Sequence, residues 1–293
     1  MAAAALFVLA TACGAEGSAS DETGELQVVA SMTVIAHFAE QVAGDHADVS
    51  SVVPVGGDPH VYEPVPSDAR AVSDADLVLY NGTGLEPWFA DLVGGSGRPA
   101  VAMTEELADQ VVDDEEGDPD PHLWMVPPMA AVYVEVIAEG LADVDPDHAE
   151  DYRDNAAAYI AELEELDAEL SAAVEEIPSE QRVLVTSHDA YAYFADHYGF
   201  EVLGTVVGVT TEEEPSASIV RRLVDDVRDA GVSAIFVETT VNPRVIEQIA
   251  RDAGVEVGDP LYGDSLGEPG SGADTYEGMM RANVQSLVSG LTP

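Results

Sequence analysis

The chain has 293 residues, 46% of them hydrophobic, which is enough to bury a substantial core and far from the composition of a disordered polypeptide. Its 57 acidic residues stand against only 10 basic ones, all arginine, for a formal net charge of -47. Nucleic acid and anionic membrane surfaces would repel such a chain, and its diffuse negative field fits a salty exterior without making a metal site.

From the N-terminus, Ala2 to Ala10 is a short apolar run of roughly 10 residues, too short to span a bilayer. It leads through Thr11-Ala12 to Cys13, the only cysteine, and then to a polar tether ending at Glu25. This arrangement resembles a bacterial lipoprotein signal, although no basic residue precedes the apolar run. It implies a signal peptide over 1–12, cleavage before Cys13, a lipid on its thiol and a tether over 13–25.

Leu26 to Ser31 then reads as a buried strand, and Val34 to Val42 as an amphipathic helix ending near Gly44. Further strands are predicted at Val49–Val55, Leu77–Tyr80 and Ala100–Met103, with helices at Ser67–Ser73 and Trp88–Val93. Asp109 to Pro121 reads as an acidic surface loop, and Pro127-Pro128 opens a helix running to about Val144. From Pro146 to Ile177 apolar residues such as Tyr152, Tyr159, Leu163, Leu166 and Leu170 recur every three or four positions. That spacing predicts one helix of roughly 30 residues, about 45 Å long.

A second alternating series follows: strands at Val183–Ser187, Val202–Val207 and Ala234–Glu238, a short one near Val257, and helices at Tyr191–Tyr198, Ser216–Ala230, Pro243–Ala253 and Tyr276–Leu291. Alternation of this kind implies α/β architecture with parallel sheets flanked by helices. The expected organisation is an N-terminal lobe over 26–144, a linking backbone helix over 145–178 and a C-terminal lobe over 179–293.

Three histidines stand at loop positions about sixty residues apart: His60 in Asp58-Pro59-His60, His122 in Asp120-Pro121-His122, and His188 in Thr186-Ser187-His188. In an open parallel sheet, ligands bind beyond the carboxyl ends of the strands. His60 and His188 both follow strands there, in different lobes. His122 lies on the connection entering the Pro128 helix, and Asp264 lies beyond the strand-like Val257–Tyr262 stretch. Three neutral imidazoles and one carboxylate give a divalent ion four donors and a net charge of about +1, suited to Zn²⁺ and tolerable to Mn²⁺. Glu63, Asp189 and Glu238 are candidates to orient imidazole N–H groups. His37, His46, His148 and His197 read as ordinary surface or core residues.

The runs Pro59-His60-Val61-Tyr62-Glu63-Pro64, Ala75 to Trp88, Asp120 to Trp124, Ser187 to Tyr191 and Asp264-Ser265-Leu266 together resemble the zinc/manganese-binding substrate-binding proteins of ABC transporters. The resemblance covers Leu26 to Leu291. It implies a two-lobed α/β fold joined by one long rigid helix, with His60, His122, His188 and Asp264 as metal ligands. It also implies a monomeric, extracytoplasmic receptor that is no enzyme and hands its ion to a membrane permease. Manganese-selective members carry Glu where this chain has His188, which favours zinc, and the acidic loop lacks the histidines many zinc members have.

Two enzymatic readings fare worse. A zinc hydrolase needs an open coordination position and a general base, and no His-Glu-Xaa-Xaa-His helix is present. Gly263-Asp264-Ser265-Leu266-Gly267 matches a nucleophile elbow, yet no histidine follows Ser265. A metal-dependent adhesin would share the same site and tether. The long helix is expected to resist wide hinge opening, leaving the His122 and Asp264 loops to order on binding. Affinity is expected to fall as pH drops through about 6.5.

Overall fold

The computed structural model describes residues 26–113, 117–211 and 215–292. The expected signal peptide, Cys13 and the tether lie outside these described residues, as does part of the acidic loop.

The first lobe is built on a parallel sheet. In chain order it holds β1 (Leu26–Ala30), α1 (Thr33–Ala43), β2 (Ala47–Ser51), α2 (Pro66–Asp74), β3 (Leu77–Tyr80), α3 (Pro87–Ser96), β4 (Ala100–Ala102) and α4 (Pro127–Val144). The sheet order is β2-β1-β3-β4, with Val28 paired to Val49 on one side and Leu77 on the other. Proline opens α2, α3 and α4, where its fixed φ suits the first turn and its missing N–H costs nothing. Because β1 connects to neighbours on both sides, the strand order reverses there, and a crevice opens beyond its carboxyl end.

The second lobe holds β5 (Val183–Thr186), α6 (Ala192–Tyr198), β6 (Glu201–Thr205), α7 (Ala217–Ala230), β7 (Ala234–Ile235), α8 (Arg244–Ala253), β8 (Glu256–Val257) and α9 (Tyr276–Leu291). Pairs β5-β6 and β7-β8 are each parallel, and Phe236 N donating to Val185 O at 2.9 Å joins them into one layer. Ser216 and Thr275 accept from Ile219 N and Gly278 N, which caps α7 and α9.

Between the lobes runs α5 (Ala149–Val174), 26 residues and so about 39 Å long. It is shorter than predicted at both ends. Asp145 takes both the His148 ring and the Tyr152 hydroxyl, at 2.7 and 2.8 Å, so Pro146–His148 tightens into a 3-10 turn. Beyond Val174, Glu176 and Ile177 likewise bond three residues back before Pro178. The predicted Val49–Val55 strand also ends early. Val52 and Val53 still donate to Ala30 and Ser31, but Pro54 has no N–H to continue the ladder. The predicted Ala234–Glu238 strand keeps two residues and a separate bridge from Glu238 to Leu261.

The buried stripe of α5, Tyr152, Tyr159, Leu163, Leu166 and Leu170, belongs to one continuous core with Ile35 and Phe38 of the first lobe and Phe194, Met279 and Leu287 of the second. Phe38 meets Tyr276 edge-on at 4.9 Å between ring centres, so α1 and α9 touch directly as well. This shared core fixes the separation of the two sheets, and with it the width of the crevice between their carboxyl ends.

Candidate metal centre

All four sequence-nominated residues converge in that crevice. His60 sits on the loop after β2, His122 at the entry to the turn leading into α4, His188 two residues beyond β5, and Asp264 between β8 and α9. His60 is 3% exposed and the other three are fully buried. His60 Nε2 and His122 Nε2 are 3.3 Å apart, and His188 Nε2 lies 3.4 Å from His122 Nε2. Asp264 Oδ1 is 3.5 Å from His122 Nε2, while Oδ2 is 3.4 Å from His188 Nε2 and 3.9 Å from His60 Nε2. Taking one ligand atom from each residue, all four lie within 4.8 Å of one another, the scale on which donors about 2.1 Å from a common centre surround one ion. Among the described residues, this is the group of histidine, cysteine and carboxylate side chains able to hold a metal ion.

Two of the rings are held by carboxylates on their far side. Asp120 Oδ1 accepts from His122 N at 3.0 Å and lies 2.7 Å from His122 Nδ1. Glu238 stands likewise at His188, with Oε1 accepting from the backbone N–H at 2.9 Å and Oε2 2.6 Å from Nδ1, an ion-pair contact outside hydrogen-bond geometry. A proton held on Nδ1 by each carboxylate leaves the Nε2 lone pair directed at the centre. His60 is different. Asp58 Oδ1 accepts from its backbone N–H at 2.9 Å, but its Nδ1 is buried without a hydrogen-bond partner. Both oxygens of Asp264 are also buried without one. Unsatisfied buried acceptors are costly, and a cation between them removes the cost.

The surrounding loops are pinned. Asn81 Nδ2 donates to Pro121 O at 3.0 Å and Tyr193 OH to Asp120 O at 2.8 Å, so both lobes grip the peptide ahead of His122. Trp124 Nε1 donates to Gly263 O at 3.0 Å beside Asp264. Gly263 leaves little room for a side chain, because a Cβ there would stand 3.1 Å from Glu238 Oε2, which would have to give by a few tenths of an ångström.

The electrostatics divide the site. Burial, and then the neighbouring imidazoles, hold His60 well below its ordinary pKa. His122 is likewise held well below, by burial and by His188. For His188 burial works against the charge, but Glu238 and then Asp264 outweigh it and push the ring up to about 10. Burial raises Asp264 to about 7.

Of the three residues nominated to orient rings, Glu238 does so. Glu63 is exposed and makes no hydrogen bond to a ring among the described residues. Asp189 is half-buried, its backbone donating to Gly208 O. Sequence reasoning missed Asp120 and Asp58. The signal was the repeated Asp-Pro-His tripeptide, in which each aspartate accepts from the histidine two residues on. The other histidines lie elsewhere: His37 faces Glu277 at 3.5 Å, His46 stacks on His148, and His197 meets Asp167.

A family model described as the zinc-uptake complex component A, periplasmic, matches residues 28–290. The chain belongs to this family. It is a substrate-binding protein of a metal ABC transporter, a receptor and not an enzyme. The manganese-binding lipoprotein MntA of Halalkalibacterium halodurans is 41% identical over 288 residues, covering 98% of this chain and 96% of the relative. The metal ABC transporter substrate-binding lipoprotein SsaB of Streptococcus sanguinis is 33% identical over 290 residues, covering 96% and 94%. Among solved structures, the periplasmic zinc binding protein TroA from Treponema pallidum superposes with a TM-score of 0.89 at 30% identity, covering 92% of this chain and all of that one. This family member keeps the two-lobe fold with its long helix.

Proposed function

We propose that this chain captures one divalent transition-metal ion between its lobes through His60, His122, His188 and Asp264, and delivers it to a membrane permease. The observation carrying this reading is the buried set of four donor residues whose ligand atoms lie within 4.8 Å of one another, with both Asp264 oxygens otherwise unsatisfied. Zn²⁺ is the favoured ion, because three imidazoles and a carboxylate are a donor set that suits it best. The zinc-binding name of TroA supports that choice.

Manganese is the second reading. Both Asp264 oxygens face the imidazoles, so the carboxylate can bind through two atoms and give the higher coordination number Mn²⁺ prefers. The manganese-binding name of the 41% identical relative favours it as well.

The receptor works outside the cytoplasmic membrane, held there by a lipid on Cys13, as a monomer with lobes over 26–144 and 179–293. The lipoprotein names of its relatives support the anchor, and no helix among the described residues is long and apolar enough to cross a membrane. Elemental analysis of protein purified without added metal, followed by competition between Zn²⁺ and Mn²⁺, tests the ion. A copy with His122→Ala that kept full affinity would overturn the ligand set.

A further inference from the structure

The donors are not held in the same way. Carboxylates stand 2.7 Å from Nδ1 of His122 and 2.6 Å from Nδ1 of His188, whereas Nδ1 of His60 has no such partner among the described residues, and its ring meets the other two imidazoles instead. The His60 backbone rests on two bonds, Trp88 Nε1 to Pro59 O at 2.7 Å and His60 N to Asp58 Oδ1 at 2.9 Å. The second oxygen of Asp58 reaches across the crevice. It accepts from the hydroxyl of Thr211, beyond β6 in the opposite lobe, at 2.6 Å. Two residues earlier the same loop crosses again, Gly56 N donating to Ser265 Oγ at 2.7 Å beside Asp264.

We infer that Asp58 is a positioning residue that couples the His60 donor to Thr211 on the opposite lobe, and so sets how long a bound divalent ion is held. One carboxylate turns the loop that presents His60 and also grips the far side. While the Thr211 bond stands, the loop cannot swing His60 off the ion without breaking a charge-assisted hydrogen bond. Once it breaks, His60 is the donor with least to keep it in place. Release thus begins at His60, while His122, His188 and Asp264 keep their geometry. The inference rests on the ligand set proposed above.

The test uses the full chain loaded with Co²⁺, whose visible absorption reports the coordinating atoms, and follows release into excess chelator by stopped flow. Thr211→Val keeps the shape and removes the hydroxyl. It is expected to leave the spectrum of the loaded protein unchanged and to speed release roughly five- to tenfold, the scale of a half-buried hydrogen bond to a charge. Thr211→Ser restores the hydroxyl and is expected to release within about twofold of the parent. In an Asp58→Ala background, Thr211→Val is expected to add nothing. Release of Thr211→Val at the parental rate, equal acceleration by the serine variant, or multiplying effects of the two sites would each overturn the inference. His60→Ala separates the two layers of the argument. If it binds Co²⁺ as the parent does, the ligand set itself is wrong and the inference falls with it. If it loses the ion while Thr211→Val releases normally, the inference alone fails.

Discussion

Replacing Glu238 by glutamine isolates the effect of one buried charge on the metal site. Oε1 of the amide can still accept from His188 N, but the group 2.6 Å from Nδ1 no longer prefers a proton there. The ring is then free to carry its proton on Nε2, where it blocks the lone pair meant for the ion. Loss of such an orienting carboxylate typically costs 10- to 100-fold in metal affinity, about 1.4 to 2.7 kcal/mol. The same change alters proton release. With Glu238 present, His188 is pushed up to about 10, so at pH 8 the unfilled site is protonated there and Zn²⁺ must displace roughly one proton. Apparent affinity therefore falls about tenfold per pH unit below 10, and more steeply below about 7 as Asp264 also takes up a proton. His60 and His122, held neutral, add nothing in this range. The window is thus displaced to the alkaline side of the ordinary imidazole value expected from sequence. Titration calorimetry at pH 8 in two buffers of different ionisation enthalpy counts the protons, and chelator competition gives the affinity. If Glu238→Gln matched the parent in both, the electrostatic account of the site would be wrong.

Three further outcomes are expected. Leu166→Ala opens a cavity in the shared core under α5 and should lower unfolding free energy by about 2 to 5 kcal/mol, read from denaturant melts; a loss under 1 kcal/mol would show that α5 is not packed as described. Glu277 has its pKa lowered to about 2: burial raises it, but His37, 3.5 Å away, and Tyr159 outweigh that. A depressed carboxylate stabilises the fold above its ordinary pKa and loses that contribution as pH falls through the folded value. Glu277→Gln should therefore cost roughly 1 to 2 kcal/mol at pH 7, allowing for solvent screening, and the gap from the parent should close towards pH 2. A gap constant with pH would contradict this. Gly263→Ala forces a methyl against Glu238 and should weaken metal binding several-fold with little change in melting temperature; unchanged affinity would mean the loop yields freely.

Much of this molecule is legible in its sequence. Strands β1 and β3 and helices α4 and α9 announce themselves by apolar runs, prolines and caps, which act locally. His60, His122 and His188 were legible because each stands next to a strand end or a Pro-His turn, and the structure brings all three to Asp264. The ends of α5 were not, since the 3-10 turn at Pro146 depends on Asp145 meeting His148 and Tyr152. Strand β7 was overdrawn, because its continuation through Glu238 pairs only with Leu261, and that partner is set by tertiary packing. Asp120 was within reach of the repeated Asp-Pro-His pattern. The bond from Thr211 to Asp58 spans 153 residues, and no local pattern in either segment hints at it.

The apolar interior that runs unbroken from α1 through α5 to α9 has a bearing on traffic at the membrane. A body braced in this way is expected to keep nearly the same outline with or without cargo, since dense interiors do not deform continuously. A permease would then meet filled and vacant copies that differ only in small loops, and vacant ones would compete for the same berth. Uptake should decline once receptors outnumber the ions available to fill them.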